Sequence, residues 1–139
     1  MGAVARIARR NDSSGMALTI LRTIRPSPTW QDSLIIVSQG QRVVFDAEEV
    51  WSPDMRNQIA WCGADGVYNH AAGDGYLLPG ANVGCLIARI GNGPVFAVGA
   101  RHDIISDREG TLFLAMNDHP DHNCQAGKIV AQVILFDAA

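Results

Sequence analysis

The sequence lacks a hydrophobic run long enough to cross a membrane and has no excess of positive charge. No apolar stretch in the 139 residues approaches the roughly 20 residues that a membrane-spanning helix needs. The N-terminus carries arginines but no apolar signal-peptide core, so we predict a protein that is cytoplasmic or exported without a cleavable signal. The net charge of −3 offers no basic face for a nucleic acid.

Cysteine is also scarce. The three cysteines, Cys62, Cys85 and Cys124, cannot all pair within one chain. Such a set is not a disulfide framework, which suits a reducing compartment or a fold that needs no cross-links. Cys85 lies in an apolar, strand-like run, so we expect it to be a buried thiol.

Signatures of catalysis are missing as well. The sequence contains no Gly-x-Ser-x-Gly elbow. His122 and Cys124 lie too close along the chain for a convincing thiol–imidazole pair, and no third orienting group is evident. We therefore predict that the protein is not an enzyme. A hydrolase remains an alternative only if Asp118 and Asp121 are held across a substrate.

What the sequence does contain is a series of short apolar strands separated by glycine, and no convincing long helix. This pattern predicts an all-β fold, an antiparallel β-sandwich or jelly roll. We predict an N-terminal extension over residues 1–29, with a hairpin packed on the sandwich as its candidate structure, and a sandwich domain over 30–139. Residues 54–60 fit one helical turn at most, and residues 100–109 are interpreted as a polar connection.

The stretch from Gly110 to Phe136 has the clearest functional pattern. Alternating apolar residues predict a half-buried strand over 111–116, and a second apolar strand is predicted over 128–136. The loop between them is rich in oxygen-bearing side chains, the ligand type that calcium prefers. These side chains are Asp118, Asp121, Asn123 and Gln125.

This stretch resembles the PA-I-like galactophilic lectins, small β-sandwich proteins that bind galactose through a calcium ion. The matching residues are Gly110, Leu112, Leu114, Asn117, Asp118 and Gly127. A strand with the pattern Gly84-Cys-Leu-Ile-Ala-Arg-Ile-Gly91 and an opening Trp30-x-Asp32-Ser33 also match, so the resemblance covers roughly residues 30–137. It implies a galactose-binding-domain-like sandwich, galactose-type glycans as partners, and a homo-oligomer that gains avidity.

The resemblance also implies a calcium ion in the loop. Asp118 would bind the ion and touch the sugar, while backbone carbonyls near Ser52 and near His122 would join the ligand set.

Two further side-chain ligands are expected three and two residues before Gly127, where this chain has Cys124 and Gln125. Family members usually have Asn or Asp followed by Asn. Because a thiol is a poor calcium ligand, we predict that Asn123 and Gln125 supply these oxygens through a shift in loop register. The predicted metal ligands are Asp118, His122, Asn123, Gln125 and Ser52.

The sugar itself would be held from two loops. In the family a Trp-x-x-x-Gly segment leads to a histidine that contacts the sugar, and Trp61, Gly66 and His70 follow that order with one extra residue. His70 and nearby Asp74 would offer a donor and an acceptor to vicinal hydroxyls. The predicted sugar-binding residues are His70, Asp74, Asp118 and Asn123.

Each assignment has an alternative. Asp118 and Asp121 would cap turns if the loop holds no metal. A zinc site would draw on His119, His122 and Cys124, with His102 as a fourth ligand from elsewhere. The aromatic residues Trp51, Trp61, Tyr68 and Tyr76 would stack on a sugar or belong to the core or its rim, whereas Trp30 is assigned to the core. The alternative function is a calcium-less structural or protein-interaction module with a degenerate sugar site.

Overall fold

The protein is almost entirely β-structure. The structure, a computed structural model, describes residues 4–9 and 16–137. The strands are β1 (Val4–Arg9), β2 (Met16–Ile24), β3 (Gln31–Val37), β4 (Arg42–Glu48), β5 (Trp51–Ser52), β6 (Leu86–Ile90), β7 (Phe96–Ala97), β8 (Arg101–Ile105), β9 (Gly110–Met116), β10 (Ala126–Gly127) and β11 (Ile129–Phe136). None of the described residues forms a helix long and apolar enough to span a membrane.

Two sheets form the sandwich, and all pairings are antiparallel. One sheet has the order β1-β2-β11-β4-β8 and the other β3-β9-β6-β7, while β5 and β10 make a separate two-stranded ladder. The predicted antiparallel β-sandwich is therefore confirmed.

The N-terminal residues pair within the larger sheet. β1 and β2 form a hairpin, and β2 also pairs with β11 along eight residues, from Ile24 to Ala17. Ile20 and Ile24 of β2 are buried in the main core. The turn predicted between the two strands, at residues 11–15, lies outside the described residues, and the domain boundary at residue 30 stays a prediction.

The core forms where alternating side chains of the two sheets meet. The inward faces of β4, β6 and β9 each carry buried apolar side chains at alternate positions. These residues are Val43, Phe45 and Ala47; Leu86, Ala88 and Ile90; and Leu112, Leu114 and Met116. Cys85 is buried as expected, in a smaller cluster with Ile87 and Ala115.

The structure decides between the two alternatives for Trp51 and corrects the core assignment of Trp30. Trp51 is fully buried and its indole Nε1 donates to the Gly84 carbonyl at 2.7 Å, so it has no face to offer a sugar. Trp30 lies outside the main core: it is half-buried against the smaller cluster, and the Arg89 guanidinium lies 5.4 Å from its ring centre.

The segment 100–109 is not merely a connection. It contains β8, which pairs with β4 through five residues as an edge strand. Its outward side chains include Arg101 and Asp103, which gave it a polar sequence, whereas His102 and Ile104 point toward the sandwich. The segment 54–60 contains one short 3₁₀ helix, Gln58–Ala60, in agreement with the single turn predicted there.

One loop of the fold connects the two sheets of the sandwich. Residues 117–128, called the Asp118 loop below, leave β9 in the four-stranded sheet and enter β11 in the five-stranded sheet. Because the loop joins the two sheets, both of its ends are fixed by buried strands.

Candidate functional site

Hydrogen bonds to neighbouring segments hold the Asp118 loop in place. At its start, the buried Asn117 side chain accepts from the Leu78 N–H at 2.9 Å and donates to the Leu78 carbonyl at 2.9 Å and the Asn82 carbonyl at 3.2 Å. In its middle, the Met55 N–H donates to the Cys124 carbonyl at 2.8 Å. The Asn117 side chain therefore ties the start of the loop to the segment 78–82, and a backbone hydrogen bond ties its middle to Met55.

The end of the loop is held against the buried Trp51. Ala126 and Gly127 pair with Ser52 and Trp51 in the β5–β10 ladder. Gly127 has φ +85°, and a Cβ there would lie 2.6 Å from the Trp51 Cα. Only glycine allows both this conformation and this approach.

A buried carboxylate lies at the centre of the loop. The Asp118 side chain is 1% exposed. Its Oδ1 accepts from the His119 N–H at 2.8 Å and contacts His122 Nδ1 at 2.9 Å, and its Oδ2 accepts from Gln125 Nε2 at 2.7 Å. Because a carboxylate only accepts, His122 Nδ1 carries the proton in this contact. N–H donors thus compensate the buried charge, as burial requires.

The Gln125 amide occupies a position that would suit a cation. Its Nε2 donates both to Asp118 Oδ2 at 2.7 Å and to the His122 carbonyl at 2.9 Å. Two oxygens therefore converge on one positively polarised group. Rotation of the amide would exchange Nε2 for Oε1, so Asp118, His122 and Gln125 would each have an oxygen to offer to a cation. Such a set fits the oxygen preference of calcium, and further ligands would be needed to reach six.

A metal centre made only of His, Cys, Asp and Glu side chains finds no support in the described part of the chain. Within residues 4–9 and 16–137, no three His, Cys, Asp or Glu side chains are grouped so that they could hold a metal ion. The zinc alternative needed His102, but that ring stacks on Phe96 with centroids 5.7 Å apart, on β8. His119 is also engaged, because its Nδ1 accepts from the Asp121 N–H at 3.1 Å.

The Asp118 loop forms part of a cavity of about 350 Å³. The loop contributes Asp118, Asp121, His122, Asn123 and Cys124 to the lining. The long segment before β6 contributes Pro53, Asp54, Arg56, Asn57, Ile59, Ala60, Val67, His70, Tyr76 and Val83. The volume falls within the range of about 300–1,000 Å³ of small-molecule pockets.

Three aromatic rings pack together beside the carboxylate. Tyr76 contacts His119 and His122 edge-to-face, with centroids 5.6 and 5.9 Å apart, and the two histidine rings are 5.4 Å apart. Burial, with a smaller contribution from the Asp118 charge, raises the pKa of Tyr76. Gly75 makes room for this cluster, since a Cβ there would lie 2.7 Å from His119 Nε2.

The charges around the cavity favour a neutral or cationic ligand. Three lining carboxylates, those of Asp54, Asp118 and Asp121, face a single guanidinium, that of Arg56. The backbone N–H and then the side chain of Arg56 hydrogen-bond to Asp54 and hold the pKa of that carboxyl below its usual value. The one lining guanidinium is thus already paired, at 3.2 Å.

The predicted site residues divide into two groups. The first group lies at the cavity described above, which is lined by His70, Asp118, His122 and Asn123. Gln125 belongs to this group because it contacts Asp118 directly. Asp74 is exposed and is not among the lining residues.

Ser52 lies in the second group. It is fully buried, and its Oγ accepts from the Asp54 N–H at 3.1 Å. The side chain therefore supports the loop, and only a backbone carbonyl from this region would be offered to a metal.

Sequence reasoning missed the contribution of residues 54–60 to the cavity. Arg56, Asn57 and Ile59 all line it, yet no motif marks them. The available signal was the length of the irregular segment before β6, since long loops in small domains are usually functional.

The three cysteines are all unpaired thiols. Burial is the main cause that raises the pKa of Cys62 and of Cys85 to about 11, so neither is activated as a nucleophile. Cys124 lies in the cavity lining, beside Asn123.

Together, the two sheets and the loop-built cavity define an antiparallel β-sandwich with a candidate binding site at its loops. No family model matches the sequence, and no curated protein does. Among solved structures, the chain is similar to the N-terminal domain of EclA, described as a PllA-like lectin, with a TM-score of 0.65 and 18% sequence identity. The similarity covers 83% of this chain and 94% of that one. At this identity, it establishes a lectin-like fold.

Proposed function

We propose that the protein is a non-catalytic carbohydrate-binding protein that takes a galactose-type sugar in the cavity beside Asp118. The observation that carries the proposal is the buried Asp118 carboxylate, which lies in a cavity lining that also contains His70, His122 and Asn123. Such fixed acceptors and donors can form hydrogen bonds with the hydroxyl groups of a sugar. The lectin-like fold supports the same conclusion.

A calcium ion is the second part of the proposal. Asp118, Asn123, the Gln125 side-chain oxygen and the His122 carbonyl would hold it, with a backbone carbonyl near Ser52 as a further candidate. The ion would supply a positive centre to which two sugar hydroxyls bind. Water and those hydroxyls would complete the six to eight oxygens that calcium requires.

His70 would contact the exposed edge of the sugar from the long loop, and Asp74 would reach it only from outside the cavity lining. Affinity for a single sugar should be weak, because the site exchanges hydrogen bonds with water for similar ones. A homo-oligomer would raise the avidity for multivalent glycans.

The test is a calorimetric titration with galactose in millimolar calcium and again in EDTA. We expect binding only with calcium, and we expect Asp118→Asn to abolish it because the amide removes the charge that holds the ion. Asp107→Asn is the matched control, since Asp107 is exposed and lies outside the cavity lining. Equal binding by the wild type and Asp118→Asn would contradict the proposal.

Two observations favour a second candidate, a calcium-less interaction module. His122 and Gln125 already satisfy Asp118 with N–H donors, and Cys124 stands where relatives of the expected family carry an oxygen ligand. Such a module would bind neither calcium nor galactose in the same titration.

A further inference from the structure

Part of the cavity lining is aliphatic. Pro53, Ile59, Ala60, Val67 and Val83 contribute to it, and we call these five residues the aliphatic wall. The same cavity is lined by Asp118, Asn123 and His70. A polar region and an apolar region therefore share one continuous space.

Ile59 is the most exposed member of the wall, with 78% of its surface accessible. Its position is nevertheless fixed. The Asn57 side chain accepts from the Ile59 N–H at 3.2 Å, and the neighbouring Ala60 is 8% exposed and donates its N–H to the Asn57 carbonyl at 3.0 Å. Because the short 3₁₀ helix already orders the backbone at Ile59, a ligand that covers this residue need not order the backbone on binding.

An isolated exposed isoleucine is ordinary on a protein surface and needs no explanation. Ile59 differs because four other aliphatic residues line the same cavity. Met55 and Trp61, in the same segment, are 54% and 41% exposed, so apolar surface continues along the segment next to the cavity. Clustered apolar surface of this kind usually marks a binding region.

We propose that the ligand is an amphiphilic glycoside, whose sugar binds beside Asp118 and whose aliphatic aglycone lies on the aliphatic wall. This inference rests on the proposed function and adds the chemical class of the group linked to the sugar. Continuity supports it, because the wall and the sugar-binding residues line one cavity. The charges support it too, since three carboxylates and one paired guanidinium disfavour an acidic substituent.

The wall favours an alkyl group over an aromatic one. Its members are branched aliphatic side chains, alanine and proline, which pack on a flexible chain without a stacking geometry. Tyr76, the one aromatic ring in the lining apart from histidine, already packs against His119 and His122.

The experiment compares hexyl β-D-galactopyranoside with methyl β-D-galactopyranoside by calorimetry in millimolar calcium. We expect the hexyl glycoside to bind about ten-fold more tightly, the gain for roughly two methylene groups removed from water. In Ile59→Ser the ratio of the affinity for the hexyl glycoside to that for the methyl glycoside should fall to about three or less. The affinity for the methyl glycoside itself should stay unchanged.

Ile105→Ser is the matched control, because Ile105 is 64% exposed and does not line this cavity. It should keep the ten-fold ratio, which separates binding at the wall from general adhesion of an alkyl chain. Unchanged methyl-glycoside affinity in Ile59→Ser also shows that the variant is folded.

Equal affinity of the two glycosides, or an unchanged ratio in Ile59→Ser, would overturn the inference and leave the proposed function intact. If neither glycoside binds, the proposed function fails and the inference fails with it.

Discussion

The contacts of Asp118 are compatible with both roles that the sequence presents as alternatives. It accepts local hydrogen bonds from the His119 N–H and from His122, as a turn-capping residue does. It also holds Gln125 at 2.7 Å across the loop, at the point proposed for a cation. A capping role therefore does not argue against a ligand role, and the two must be separated by experiment.

Two substitutions separate them. Asp118→Ala removes the acceptor from three N–H groups, so we expect it to lower the free energy of unfolding in EDTA by about 2–4 kcal/mol. Asp118→Asn keeps one acceptor oxygen and should cost about half as much, yet it should remove any stabilisation by calcium. Urea unfolding of both variants, with and without calcium, gives the values.

The control for this comparison is Asp107→Asn, which should change stability by less than about 0.5 kcal/mol, as is usual at exposed positions. An Asp118→Ala variant as stable in EDTA as the wild type would mean that the buried hydrogen bonds contribute nothing.

Sequence patterns predict residue types at the site better than their roles. Asp118, Asn123 and His70 were expected to lie together, and all three line the cavity. Trp51 and Trp30 show the limit. Each is a tryptophan near a strand, and only the packing of a distant segment, such as the Gly84 carbonyl on the Trp51 indole, decides which one enters the core.

At the level of elements, the short β5–β10 ladder positions the Asp118 loop. Gly127 pairs with Trp51 at φ +85°, and a Cβ there would also lie 2.6 Å from the Val50 carbonyl oxygen. Both neighbours are backbone atoms, which cannot rotate away. The ladder therefore depends on glycine at this position.

Gly127→Ala tests this dependence. We expect a loss of about 1–2 kcal/mol from the left-handed conformation and about 1–3 kcal/mol more from the clash with β5. The displaced loop should also lose galactose binding. Thermal or urea unfolding measures the first effect and calorimetry the second.

Gly40→Ala is the matched control. Gly40 has φ +82°, and a Cβ there would meet no atom within 4 Å, so only the conformational cost applies. If both substitutions cost the same, the close approach of Gly127 to β5 is not what holds the loop.

Elements with a buried face were easier to predict than edge elements. β4 alternates between buried apolar residues and outward residues that include Arg42 and Asp46, because one of its faces is buried in the core. β9 is apolar at nearly every position, since Ala115 on its second face is buried as well. β8 was missed because its outward residues include Arg101 and Asp103 and its inward ones are only half-buried. An edge strand buries too little surface to impose a clear pattern on its sequence.

For the whole molecule, the sandwich was predictable and the cavity was not. Strand patterns are local, so they can be read from a single sequence. The cavity joins residues around 53–60, 67–83 and 118–124, which are distant in sequence and come from irregular segments. Their approach depends on tertiary hydrogen bonds, such as Met55 N–H to the Cys124 carbonyl, which leave no sequence period.

The last prediction concerns the stability of the whole molecule. A ligand that binds only the folded state stabilises it by mass action. A free ligand concentration of ten times the dissociation constant therefore adds about 1.4 kcal/mol to the free energy of unfolding. For a domain of this size, this amounts to a rise in Tm of about 5 °C. We expect thermal scans to show one rise when millimolar calcium replaces EDTA and a second when galactose is added. Glucose is the control, because it differs from galactose in the orientation of one hydroxyl. A galactose effect that persists in EDTA would show that the sugar needs no ion, whereas three identical curves would favour the interaction module.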